Sequence, residues 1–97
     1  MDKEIVKVLK GYKISNLEIN DMLMVAPMLE YCEYEEFVKC CMLLTEYGYP
    51  KTDLDFLFLA NPNMFVRGPK DLKADLDKLR LKQEDIESIL KQDPNII

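Results

Sequence analysis

The chain has 97 residues, 13 basic and 18 acidic side chains, a formal charge of −5 and no histidine. At 48% apolar and 32% charged it has the composition of a folded domain, with room for one unit spanning 1–97 and a thin core. Without histidine, Ser-His and Cys-His nucleophile pairs and His-bound metals are excluded within the chain.

The predicted elements, in chain order, begin with a helix over about 2–11, whose Val6, Leu9 and Tyr12 stand as far before Pro27 as Cys41, Leu44 and Tyr47 stand before Pro62. A second helix, about 16–26, opens on Ser15-Asn16-Leu17-Glu18, the spacing of a capping box, with Ile14 and Ile19 at the positions of a hydrophobic staple. The staple spacing recurs at Tyr49/Leu54 and Leu81/Ile86. Proline at 27 stops this helix. The third helix, about 34–47, has little polar face, so it is expected at the centre. The fourth, about 53–60 (DLDFLFLA), is short and apolar enough to pass for a strand. Its counterpart DIESILKQ, at 85–92, reads only as helix, which decides for helix at both places. A fifth helix, about 70–80, follows Gly68-Pro69, and a sixth, about 83–92, ends at Pro94.

Aligning the chain on Pro27, Pro62 and Pro94 brings out an internal repeat. Eight residues before each proline stand Ile19, Leu54 and Ile86; five before stand Met22, Leu57 and Ile89; four before stand Leu23, Phe58 and Leu90; two after stand Leu29, Met64 and Ile96. Phe37, Cys41 and Leu44 after the first proline correspond to Leu72, Leu76 and Leu79 after the second. The expected fold is therefore all-α: a short array of helix-Pro-helix units, about six helices in all. The chain ends on Pro94-Asn95-Ile96-Ile97, where a following helix would cover the two isoleucines. Ile89, Leu90, Ile96 and Ile97 are expected to form an apolar end that takes a protein partner or a second copy of the chain.

The units resemble the repeats of the mitochondrial transcription termination factor (mTERF) family. The resemblance lies in Asp53–Phe65 and Asp85–Ile97, each a short helix running to Asn/Asp-Pro and then apolar residues, and in the longer helices Glu35–Tyr47 and Lys70–Leu81. It implies a curved helical solenoid and nucleic-acid binding through a basic groove. In this chain the phosphate contacts would fall to Arg67, Lys70, Lys73, Arg80 and Lys82, within a segment of 67–82 that holds six basic residues against three Asp. Ion pairing of those residues with Asp71, Asp75 and Asp77 is the competing expectation.

Cys32, Cys40 and Cys41 are an odd number with two adjacent, which is no disulfide framework and points to a reducing compartment, the cytoplasm or an organelle interior. Cys40 and Cys41 are expected in the core, Cys41 at a repeat position, and Cys32 is expected to react slowly beside Glu30, Glu33, Glu35 and Glu36. Those glutamates read as a solvated helix start, and the tyrosines at 31, 34, 47 and 49 as packing at the seams between units. No cofactor or metal is expected, and neither a secretory signal nor an apolar run of membrane-spanning length is present. The leading expectation is a non-enzymatic module that binds a protein partner, because the chain is acidic; nucleic-acid binding through 67–82 is the alternative.

Overall fold

A computed structural model of the chain describes residues 1–83 and 85–97. Among them are six α-helices and no strand: α1 (Lys3–Gly11), α2 (Asn16–Val25), α3 (Tyr34–Glu46), α4 (Leu54–Ala60), α5 (Pro69–Leu81) and α6 (Ile86–Gln92). Glu84, inside the sixth helix as expected from the sequence, lies outside the described residues; α6 itself begins later, at Ile86, capped by the Asp85 carboxylate accepting from the Ser88 N–H at 3.1 Å. Three short 3₁₀ turns were not foreseen: Pro27–Tyr31, Lys51–Asp53 and Pro62–Phe65. Two of them open on a proline, whose fixed φ and missing N–H suit a first helical position.

The expected capping box is formed: Ser15 Oγ accepts from the Glu18 N–H at 3.1 Å, and the Ser15 N–H donates to the Glu18 carboxylate at 2.9 Å. That backbone donor holds the Glu18 carboxyl below its ordinary pKa. No such signal marks the starts of α1 and α3, and one residue serves both. The Asp2 carboxylate accepts from the Glu4 N–H at 2.8 Å and, with its other oxygen, from the Tyr34 N–H at 3.0 Å. Two helix N-termini, each with unsatisfied donors and a partial positive charge, thus converge on a single anion.

The long helices share one ending. Lys13 (φ 65°), Gly48 (φ 104°) and Gln83 (φ 58°) occupy the left-handed region, 35 residues apart. In the first two cases the next residue donates back across the end of the helix, the Ile14 N–H to the Leu9 carbonyl at 3.1 Å and the Tyr49 N–H to the Leu44 carbonyl at 2.9 Å. Only Gly48 meets this conformation without a steric penalty.

α3 packs between α1 and α5, while α2 lies against α4. Asn61, the one buried polar side chain among the described residues (6% exposed), donates from its amide to the Pro94 carbonyl at 2.9 Å. The Lys91 ammonium reaches the Asp53 carboxylate at 2.7 Å, so α6 is tied to α4 at two points. The buried residues from Ile5 to Leu90 form one cluster. At its middle Phe58 meets Phe37 (5.4 Å between ring centroids), Phe65 (4.7 Å) and Tyr12 (5.3 Å), joining α4 to α3, to the Pro62 turn and to the end of α1.

Two staple pairs, Ile14/Ile19 and Tyr49/Leu54, are buried on both sides. The third is not: Leu81 is 83% exposed. The inward face of α5 runs Leu72, Leu76, Leu79, and its next place would be 83, beyond the end of the helix. In α3 the buried face is Phe37, Cys40 and Leu44, with Cys41 only half-buried. The expected core position at Cys41 is therefore corrected: α3 steps inward by three and then four residues, α5 by four and then three. One position is a rotation of about 100° on a helix, enough to move a side chain from the core to its edge.

Candidate functional site

The surface of α3 follows from that rotation. With Phe37, Cys40 and Leu44 committed to the core, the remaining apolar residues of this helix must face elsewhere. Val38, Cys41 and Met42 line a groove of about 430 Å³ whose opposite wall is Val8 and Tyr12 of the α1 end. Tyr34 and Thr45 mark its ends along α3, eleven residues apart, or about 16 Å of helix. Glu46 and Lys51 stand at the rim. The sequence contained a signal for this groove, since a helix apolar all round has more apolar surface than one core contact can cover. On the other side of Met42, a second groove of about 410 Å³ runs between α3 and α5, lined by Lys39, Leu43, Pro69, Lys70 and Lys73.

The basic segment of 67–82 is largely occupied by contacts within the chain. The Arg67 guanidinium pairs with Asp75, both half-buried. Lys73 pairs with Asp77 at 2.9 Å, and Lys78 approaches Asp75 at 3.9 Å. Arg80 lies over the Tyr47 ring, 4.0 Å from its centroid, and the Tyr47 hydroxyl donates to Asp77. Hydrogen bonds from Lys73 and Tyr47 hold the Asp77 carboxyl below its usual range. Tyr47 thus works at the α3–α5 seam. Lys70 and Lys82 are exposed and make no ion pair among the described residues.

No family model, characterised protein or solved structure matches the chain.

The expected apolar end is not formed as a patch. Leu90 is buried, and Ile89 and Ile97 pack against the core. Ile96 alone stands out, at 41% exposure. The Asn61 amide holds the Pro94 carbonyl, and the residues on either side of it pack on the apolar cluster.

The cysteines are free thiols. Burial pushes Cys40 and Cys41 up to about 12, and it raises Cys32 too, with Glu36, Asp2 and Glu33 adding to the shift. Tyr49 is buried, its hydroxyl donating to the Asp53 carbonyl at 3.1 Å, whereas Tyr31 projects into solvent. Among the described residues no three Cys, Asp or Glu side chains converge as a metal site, and no helix is long and apolar enough to cross a membrane.

Proposed function

We propose that the chain is a non-enzymatic helical-repeat module that engages a protein partner, and that the groove along α3 receives an apolar helical segment of that partner. The observation that carries this reading is the groove itself: Val8, Val38, Cys41, Met42, Leu54 and two tyrosines line it against Thr45, Glu46 and Lys51, and the Tyr12 hydroxyl is already committed to the Lys51 carbonyl. Such a lining offers no converging donors or acceptors for a polar small molecule, and it suits the apolar face of a helix. About 16 Å along α3 spans three turns of an occupant lying alongside. Methionine at the ridge can repack around different side chains. The left-handed residues recurring every 35 positions support the repeat-array reading.

The test is selection from a displayed library of amphipathic helices against the native chain, followed by measurement on Met42→Glu. Peptides with apolar residues at helical spacing whose affinity drops at least tenfold on Met42→Glu support the reading. Selected peptides that bind Met42→Glu unchanged refute it.

A nucleic-acid role keeps one specific support. Lys39, Lys70 and Lys73 rim the groove between α3 and α5, and Lys39 and Lys70 make no ion pair among the described residues. The two arginines expected to share in that role are engaged by Asp75 and by Tyr47. Retention on duplex DNA or RNA that falls steeply with salt, and that Lys39→Glu/Lys70→Glu abolishes, would favour this reading over the first.

A further inference from the structure

From Ile14 to Val38 the chain has six carboxylates and no Lys or Arg. The same 25 residues hold six of the eleven large apolar side chains that stand exposed among the described residues: Leu17, Met24, Val25, Met28, Tyr31 and Tyr34. Tyr34 belongs to the α3 groove; the other five lie on α2 and on the Pro27–Tyr31 turn that follows it. Leu17 and Met24 are two turns apart on α2, with Asp21 between them. Met28 and Tyr31 are three apart on the Pro27–Tyr31 turn, one full turn of a 3₁₀ helix. Met24 is 80% exposed and Tyr31 77%, so neither is partly used by the core. Met28 and Tyr31 then form one side of a groove of about 330 Å³, with Glu33 and Glu36 at its edge. The cation that reaches this groove, Arg67, is paired with Asp75, and Glu30 takes the Met1 ammonium. Asp21, Glu33, Glu35 and Glu36 make no ion pair among the described residues.

We propose that this surface, the outer side of α2 continued through the Pro27–Tyr31 turn, is a docking face for a basic amphipathic helix of another protein. The apolar stripe would take the occupant's apolar face and the carboxylates its lysines and arginines. Charge chooses the occupant. Two copies of this face would bring Asp21, Glu33 and Glu36 of each together, so a two-fold self-contact is opposed, and an anionic lipid surface or a nucleic acid is repelled for the same reason. The basic helix of a second copy, α5, fits poorly because its apolar residues Leu72, Leu76 and Leu79 are buried. A foreign helix presenting both stripes at once satisfies both parts of the surface. This face is separate from the groove on α3, and the proposal does not depend on that groove being used.

The probe is a 14-residue peptide of leucine and lysine with leucines at helical spacing, compared with a scrambled peptide of equal composition and with a leucine–glutamate version. Binding is followed by the methionine methyl resonances of the native chain at low and at physiological salt. Preferential binding of the patterned basic peptide, with the Met24 and Met28 methyls shifting and those of Met22 and Met64 still, supports the proposal. A loss of at least tenfold in affinity for Met24→Gln/Met28→Gln, and again for Glu33→Gln/Glu36→Gln, with unchanged circular dichroism, supports it further. Equal binding of the scrambled peptide, shifts confined to Met42, indifference to Met24→Gln/Met28→Gln, or self-association of the chain through this face at low salt would each overturn it. Because Met42→Glu leaves this face intact, failure here and failure of the α3 groove are read separately.

Discussion

Phe58 is fully buried and touches three other rings, which makes its replacement a measure of whether the core is organised as described. Truncating a buried phenylalanine to alanine costs about 3–5 kcal/mol in lost transfer energy and cavity. A domain of this size holds only about 5–15 kcal/mol in total, so Phe58→Ala should remove at least a fifth of it and bring the weakest estimate close to unfolding. Phe58→Leu keeps most of the apolar volume and removes the ring pairs. At about 0.5–1.5 kcal/mol for each favourable aromatic pair, three pairs give about 1.5–3 kcal/mol, allowing that they are not additive. The corresponding fall in Tm is about 4–8 °C per kcal/mol. The control lies two residues away: Phe56, on the same helix but half-exposed, should cost under about 1 kcal/mol as alanine. Urea unfolding followed by circular dichroism gives all three values. If Phe58→Ala costs no more than Phe56→Ala, or if Phe58→Leu costs under about 0.5 kcal/mol, the aromatic junction does not hold the helices as argued.

Further outcomes follow from individual contacts. Asn61→Leu removes the donor to the Pro94 carbonyl; it should cost about 1–3 kcal/mol and increase amide exchange in Ile96 and Ile97, while unchanged exchange would mean that the end is held by packing alone. Lys13→Gly should stabilise by about 0.5–1 kcal/mol and Gly48→Ala should destabilise by a similar amount or more, because both residues sit at positive φ; opposite signs in urea unfolding would contradict the cap assignment. Cys40 and Cys41, neutral to about 12 in the folded chain, ionise near their ordinary value when unfolded. Stability should therefore decline as pH rises above about 9, and thiol labelling at pH 8 should report Cys32 ahead of the other two. Asp53, Asp77 and Glu18 have lowered pKa values, so their contribution is present above the ordinary carboxylate range and is lost as pH falls through their folded values; Asp77→Asn should flatten the acid side of the stability profile.

Much of the helical frame was legible because its signals are local. Ser15 and Glu18 form a box from four adjacent residues, and the prolines at 27 and 62 end α2 and α4 by their own chemistry. What depended on a partner distant in sequence was not legible. Nothing near Tyr34 says that its N–H will find Asp2, and nothing near Asn61 names Pro94. The face of α3 was ambiguous for another reason: seven of the eight residues from Phe37 to Leu44 are apolar, so periodicity could not choose between Cys40 and Cys41. The candidate site suffered most. Arg67, Lys73 and Arg80 read as a basic stripe or as ion pairs with the aspartates of the same segment; the pairing with Asp75 and Asp77 formed, whereas Tyr47, which holds Arg80, comes from the end of α3 and only the packing of α5 on α3 reveals it. The left-handed residues at 13 and 83 were hidden because neither is glycine.

The turn at residue 48 repeats the geometry of the turn at residue 13, down to the hydrogen bond by which the next amide reaches back across the helix end. The chain therefore leaves both places in the same local conformation, one at Ile14 and the other at Tyr49. A second copy of residues 14–48 spliced in after Gly48 would meet at each junction the backbone already found there. The length of the protein then becomes an engineering variable: a gene duplication at those two points would yield a longer chain with a second copy of the α3 surface, and neither seam would need redesign.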